Sequence, residues 1–281
     1  MDRRLTVQGA LDRATETFAA AGIVEPRREA VRLLADLLDW TPADVALGRG
    51  QVIEPDRRRW IDRAVARRAA GEPLPYVTGL AGFRQLVLRS DRRALIPRPE
   101  TEGLVDRALA RVPRGVAVDV GTGTGCLALS LRQEGAYDLV VGIDRSADAL
   151  ALADANRRRT GISVALVRAD LLSACGAEAV DLVVSNPPYL TRAEYLALDP
   201  GVRDYEPAGA LESGDDGLEA SRRLVTEALA VVRPGGWLLM EIAAERPEAS
   251  AALAAGAGWT GIHIDDDLFG RPRFLVARKE A

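Results

Sequence analysis

Five short apolar runs follow one another between residues 115 and 242: "GVAVDV", "DLVVGID", "VALVRAD", "DLVVSN" and "GWLLMEI". Stretches with helical spacing separate them. A strand with one wet face alternates polar and apolar residues, but these runs are nearly continuous, as strands covered on both faces are. Strands alternating with helices build a parallel sheet with crossover helices. Such a sheet binds ligands at the carboxyl ends of its strands. The residues that close the runs therefore carry the functional reading. "TGIHIDDDLFGRPRFLVARK" adds two more strands and a turn, and places His263, the one histidine, on a strand with a structural role.

Before residue 70 the pattern is different. "LTVQGALDRATETFAAAG" and "EPRREAVRLLADLLDW" carry apolar residues at helical spacing. Thr41-Pro42 reads as an N-cap followed by proline at the first helical position. "EPDRRRWIDRAVARRAAG" reads as a further helix stopped by Gly71. The expected organisation is a helical N-terminal domain over 1–73, a linker with a short β-hairpin over 74–97, and an α/β domain over 98–281.

The net charge of -4 argues against a chain built to coat nucleic acid. Lys279 is the only lysine, so arginine clusters say little by themselves; "RRRWIDRAVARR" reads as a solvated helix face. Cys126 and Cys175 make no disulfide framework and fit small buried residues in a reducing cytoplasm. The N-terminus lacks a secretory apolar core, and no apolar run is long enough to span a bilayer. A single histidine excludes histidine triads and multi-histidine metal sites, and no metal is implied.

"VAVDVGTGTGCLALSL" reads as strand, glycine loop and helix, the helix starting near Thr124. Gly121, Gly123 and Gly125 let the backbone turn sharply and approach a ligand, and the helix aims its first amides at it. The usual dinucleotide fingerprint has its third glycine three positions after the second; Cys126 stands there instead, which argues against a nicotinamide enzyme. Asp144 closes the second run, placed to accept from ribose hydroxyls. Asp170 closes the third, within reach of an exocyclic adenine amine. With no P-loop lysine, the ligand implied carries ribose and adenine without a triphosphate.

The fourth run ends "SNPPYL". Pro187 and Pro188 remove two backbone donors and fix φ, and Pro187 holds Asn186 extended. The corner offers two acceptors, the Asn186 side-chain oxygen and the Pro187 carbonyl, with Tyr189 as a flat wall. Two converging acceptors suit a planar NH2 group. Accepting both hydrogens raises electron density on its nitrogen, which can then attack an electrophilic carbon. Positioning and electrostatics supply most of the acceleration.

"DVGTGTG" followed by "NPPY" resembles S-adenosylmethionine-dependent methyltransferases that act on planar amino nitrogens. With "GEPLPYVTG", "LIPRPETEGLV", "YEPAGAL", "SGDDGL" and "RPGGWLLMEI", the chain from about Gly71 onward is similar to the HemK/PrmC family. That family methylates the side-chain amide N(5) of glutamine in class I peptide chain release factors. The resemblance implies a Rossmann-like domain with a mixed seven-stranded sheet behind a small helical bundle. It implies that Gly121, Thr122, Gly123, Thr124 and Gly125 hold the methionine part of S-adenosyl-L-methionine. Asp144 would take ribose, and Asp170 and Leu171 would flank adenine. Asn186 and Pro187 would receive the amide hydrogens, with Pro188 and Tyr189 shaping the pocket. Arg98, Glu100 and Thr101 would lie close to the cofactor, although from the residues alone Thr101 or Glu102 reads as serving a helix N-terminus.

Two departures stand out. The family often continues its fifth strand as E-x-G-x-x-Q, whereas here "EIAAER" places Ala243 and Arg246; and Leu171 stands where relatives often have an aromatic. Two other readings remain open at this level. One is an amino methyltransferase of adenine in DNA or RNA, or of a ribosomal-protein glutamine. The other is a cofactor-binding module without catalysis, for which the Asn186 corner would have no use.

Overall fold

The computed structural model describes residues 5–281. They form two compact units: the chain up to Leu80 together with Pro200–Tyr205, and Ala81–Asp199 together with Glu206–Ala281.

Helices α1 (Val7–Ala20), α2 (Pro26–Leu38), α3 (Pro42–Leu47), α4 (Pro55–Ala69) and α5 (Leu74–Thr78) make most of the first unit. Local chemistry starts and stops them. Thr41 and Asp44 form a reciprocal capping box ahead of Pro42. Gly71, at φ +96°, ends the excursion of α4 in a conformation that costs glycine little. Leu11, Phe18, Leu33, Leu34 and Ile61 are buried at the centre. Leu74 and Val77 of α5 join that core, and Arg67 donates to Glu72 and to the carbonyls of Tyr76 and Val77. This packing carries the helical unit to Leu80, past the drop in helical patterning at residue 73.

The second unit begins with a hairpin, β1 (Leu80–Phe83) and β2 (Leu86–Arg89). Then come α6 (Glu102–Arg111), β3 (Arg114–Val120), α7 (Cys126–Glu134), β4 (Ala136–Asp144), α8 (Ala147–Thr160), β5 (Ala165–Arg168), β6 (Val180–Ser185) and α9 (Arg192–Leu196). A short α10 (Pro200–Arg203) falls in the segment grouped with the helical unit. The chain closes with α11 (Glu219–Val231), β7 (Val232–Glu241), α12 (Pro247–Ala257), β8 (Thr260–Asp266) and β9 (Pro272–Arg278).

Seven strands form one sheet in the order β5-β4-β3-β6-β7-β9-β8. All pairs are parallel except those made by β9, which runs antiparallel to β7 and β8. The near-continuous apolar runs are explained by two cores. Ala117, Leu182, Val184 and Leu239 belong to one, while Val118, Val183, Leu238 and Met240 belong to the other, so alternate residues face opposite layers. From β3 the chain moves outward to β4 and β5, then returns to the other side of β3 as β6. That reversal opens a crevice beyond the carboxyl ends of β3 and β6.

Candidate active site

A cavity of about 580 Å3 occupies this crevice. Gly121, Thr122, Gly123 and Thr124 line it, as do Asp144, Asp170 and Leu171. Asn186 and Pro188 form another part of the wall, with Arg98 and Thr101. Gly125, Glu100, Pro187 and Tyr189 do not line it.

Gly121, Gly123 and Gly125 all have positive φ, at 73°, 55° and 83°. The Gly121 and Thr122 amides donate to the Ile143 carbonyl, 2.8 and 2.9 Å away. The Gly123 amide donates to Asp144 Oδ2 at 3.0 Å. The loop is thus stitched to the end of β4. A Cβ on Gly121 would meet no protein atom within 4 Å, whereas one on Gly125 would lie 3.4 Å from Ala153 Cβ. Gly121 borders open space; at Gly125 the added contact would be an ordinary one, and the positive φ is what favours glycine there. The helix itself starts at Cys126, two residues later than expected, because the loop keeps turning through Gly125.

Under the loop, Asp119 is 1% exposed, and its Oδ2 accepts from Thr122 Oγ1 at 2.6 Å and from the Ala128 amide at 3.1 Å. Burial pushes this carboxyl up to about 7 against those two bonds. Asp144 also accepts from the Ser146 amide at 2.9 Å through Oδ1. Asp170, further out, receives Arg223 Nη2 at 2.8 Å. Leu171 follows at φ +46°, an unusual conformation for a side chain of this size. Arg98 donates to the buried carboxylate of Glu206, which also accepts from the Ile96 amide at 3.1 Å. Glu100 turns away to Arg271, 3.4 Å distant.

Asn186 follows β6 directly. Its Nδ2 donates to Thr101 Oγ1 at 3.0 Å, and Thr101 Oγ1 donates to Glu241 Oε2 at 2.6 Å. The Tyr189 hydroxyl donates to Glu241 Oε1 at 3.3 Å. Among the described residues none donates to Asn186 Oδ1. Glu241 is 1% exposed at the end of β7, and burial raises its pKa while the Thr101 hydroxyl and the Arg273 charge pull it down. Burial, with Glu241 beside it, raises the Tyr189 phenol. Thr101 occupies the N-cap position of α6, but its side chain makes no capping bond because the hydroxyl is directed to Glu241. The capping role expected for it is corrected accordingly.

The corner is held from behind. Arg246 Nη2 donates to the Tyr189 carbonyl at 2.9 Å, and both Arg246 terminal nitrogens donate to Glu194, at 2.9 and 2.8 Å. The Arg246 guanidinium draws the Glu194 carboxyl down to about 2. Leu190 exchanges backbone bonds with Leu211 and Ser213. Gly217, at φ +71°, passes so close that a Cβ would stand 2.6 Å from the Tyr189 carbonyl oxygen.

Sequence reasoning missed Glu241 and the partners of Arg246. A carboxylate inside "LLMEI" was the available signal, since a charge that ends a buried strand needs donors.

This sheet, glycine loop and row of strand-end acids define an S-adenosylmethionine-dependent methyltransferase. Residues 9–79 match the family model of the PrmC N-terminal domain, and residues 101–198 that of the Methyltransferase small domain. The release factor glutamine methyltransferase of Nitratidesulfovibrio vulgaris is 39% identical over 281 residues, covering 98% of this chain and 95% of its own. That of Cereibacter sphaeroides is 41% identical over 273 residues, 97% of this chain and 98% of its own. A methyltransferase crystal structure from Pyrococcus furiosus, 18% identical, shares the fold with a TM-score of 0.54 over 81% of this chain and 100% of that one. The chain belongs to the release factor glutamine methyltransferase family.

Proposed function

We propose that this enzyme methylates the side-chain amide nitrogen of the glutamine in the GGQ motif of class I peptide chain release factors, in the cytoplasm. Among the described residues no helix is long and apolar enough to cross a membrane. The observation that carries the reading is the Asn186 side chain, which lines the cavity, is tied down through Nδ2, and has no donor to Oδ1 among the described residues.

The residues present fit S-adenosyl-L-methionine. The cavity, at about 580 Å3, is of small-molecule size, and the open space over Gly121 leaves room for a ligand at the loop. Gly121 to Thr124 would face its methionine part, Asp144 its ribose, and Asp170 and Leu171 its adenine. Bound there, the cofactor supplies an electrophilic methyl group on a sulfonium.

The chain's own contribution is positioning. Asn186, which lines the cavity, accepts one hydrogen of the substrate carboxamide through Oδ1, and the carbonyl of Pro187, a residue just outside that lining, accepts the other where the substrate meets the corner. Accepting both concentrates electron density on the amide nitrogen and sets its direction. No strong base is required, because the leaving proton becomes acidic only as nitrogen gains its fourth substituent. Pro188 and the buried Pro187 keep the corner from relaxing.

The helical unit is proposed to contact the protein substrate. Trp60 on α4 is 70% exposed, and large exposed aromatics are frequent anchors of interfaces. Trp60→Ala should raise KM for release factor and leave cofactor affinity unchanged.

The central test follows labelled methyl from cofactor to purified release factor, with mass spectrometry locating one methyl group on glutamine. Asn186→Ala should keep cofactor binding and lose about 10²-fold or more in rate. Absence of transfer by the unaltered protein would reject the assignment.

A further inference from the structure

We propose that Glu241 is a positioning residue for the transfer: through Thr101 it dictates which half of the Asn186 amide faces the cavity. The inference rests on the reading of Asn186 as an acceptor for the substrate amide.

The argument is one of proton counting. A threonine hydroxyl carries one proton and otherwise accepts, while a carboxylate only accepts. With Glu241 ionised, the form that the Thr101 and Tyr189 hydroxyls and the Arg273 charge favour against burial, the contact of 2.6 Å between Thr101 Oγ1 and Glu241 Oε2 commits the threonine proton to Glu241. Only lone pairs remain on the side of Thr101 that meets Asn186. The NH2 half of the asparagine can satisfy them at 3.0 Å; the carbonyl half would set oxygen against oxygen. Asparagine has two near-isosteric orientations, and Glu241 leaves one of them without a bond.

The excluded orientation is the one that would stop the reaction. It would turn NH2 hydrogens toward the substrate's own NH2, donor against donor. Nothing about the prolines prevents this, since they fix the backbone and leave the asparagine χ2 free. The Tyr189 hydroxyl, at 3.3 Å from Oε1, adds a second donor to Glu241 and so strengthens its role as the acceptor at the end of the chain. Burial at 1% exposure keeps water from offering Glu241 another partner. Arg273 and Glu100 are the other charges that act on Glu241.

Glutamine at 241 would break the rule. Its NH2 can donate to Thr101, which frees the threonine proton to turn toward Asn186 and stabilise the flipped amide. Glu241→Gln and Thr101→Val should each lower kcat by roughly 10–10²-fold, the loss of one to two directed hydrogen bonds, with cofactor Kd within about twofold. Thr101→Ser, which restores the hydroxyl, should recover most of the rate lost in Thr101→Val. A merely structural role would shift stability or cofactor affinity and would not separate serine from valine in kcat.

The experiment measures kcat, release-factor KM and cofactor Kd for the full-length protein and these three variants. It also records the exchange rate of the Asn186 side-chain NH2 by NMR. Slow exchange in the unaltered protein and fast exchange in Thr101→Val support the proposal; the same exchange rate in both overturns it. A Thr101→Val enzyme within about threefold of the unaltered kcat also overturns it, a change too small for a lost directed bond. The NMR arm needs no protein substrate. If the unaltered protein fails to methylate release factor, the functional reading falls while the orientation of Asn186 is still decided. Should Glu241→Gln not fold, the comparison of valine with serine at 101 decides the outcome.

Discussion

Replacing Arg246 by methionine keeps the aliphatic stem and removes three hydrogen bonds, two to Glu194 and one to the Tyr189 carbonyl. The size of the effect follows from Glu194. Its carboxyl falls from the ordinary 4.5 to about 2, with the Arg246 hydrogen bonds the largest cause. At about 1.4 kcal/mol per pH unit this is a ceiling of about 3.5 kcal/mol. The Glu194 side chain is 38% exposed, so screening by water reduces that to about 1–2 kcal/mol. The bond to the Tyr189 carbonyl adds about 1 kcal/mol. Arg246→Met should therefore lower stability by about 2–3 kcal/mol, a fall in Tm of roughly 5–10 °C for a unit of this size.

The sign with pH is fixed by the direction of the shift. A carboxyl lowered in the folded protein contributes its full stabilisation above the unfolded value of 4.5 and loses it as pH falls toward about 2. The stability gap between native protein and variant should be constant from pH 7 to pH 5. By pH 3 the part due to Glu194 should shrink by about half or more. Urea titrations at these pH values measure the gap. A variant within about 1 °C of the native Tm, or a gap unchanged at pH 3, refutes the reasoning.

Two further outcomes follow from the strand ends. The Asp119 carboxyl rises from 3.8 to about 7 through burial, so its contribution to stability is lost as pH climbs between those values, with a ceiling of about 4 kcal/mol. Asp119→Asn, compared by thermal melts from pH 5 to pH 8, should lack that slope; a parallel slope would contradict it. Asp144→Ala removes the acceptor of the Gly123 and Ser146 amides, and cofactor Kd by calorimetry should rise by about tenfold or more, as for a lost charge-assisted bond.

The larger unit was legible because its signals are local. Each strand from β3 to β7 announces itself as an apolar run, and Asp144 and Asn186 end theirs where the sheet requires. Thr41-Pro42 states the start of α3 within four residues. What escaped depends on pairs far apart in the chain. Thr101 carries every sign of a helix cap, and only the fold reveals a buried carboxylate competing for its hydroxyl, 140 residues away. Arg246 stands out in the sequence only as a departure from the family's pattern. It is a clasp on the Asn-Pro-Pro-Tyr corner, because Glu194 of a separate helix stands opposite it. Pro200–Tyr205 joins the helical unit for reasons no local pattern carries.

The asparagine–threonine–glutamate chain draws its three members from the end of β6, the entry to α6 and the end of β7. A small local opening at any one of these places breaks the chain, and one at the entry to α6, where Thr101 sits in the middle, breaks both of its bonds. Turnover should therefore be more fragile than the scaffold: under mild denaturant methyl transfer is expected to fall before the circular dichroism spectrum changes.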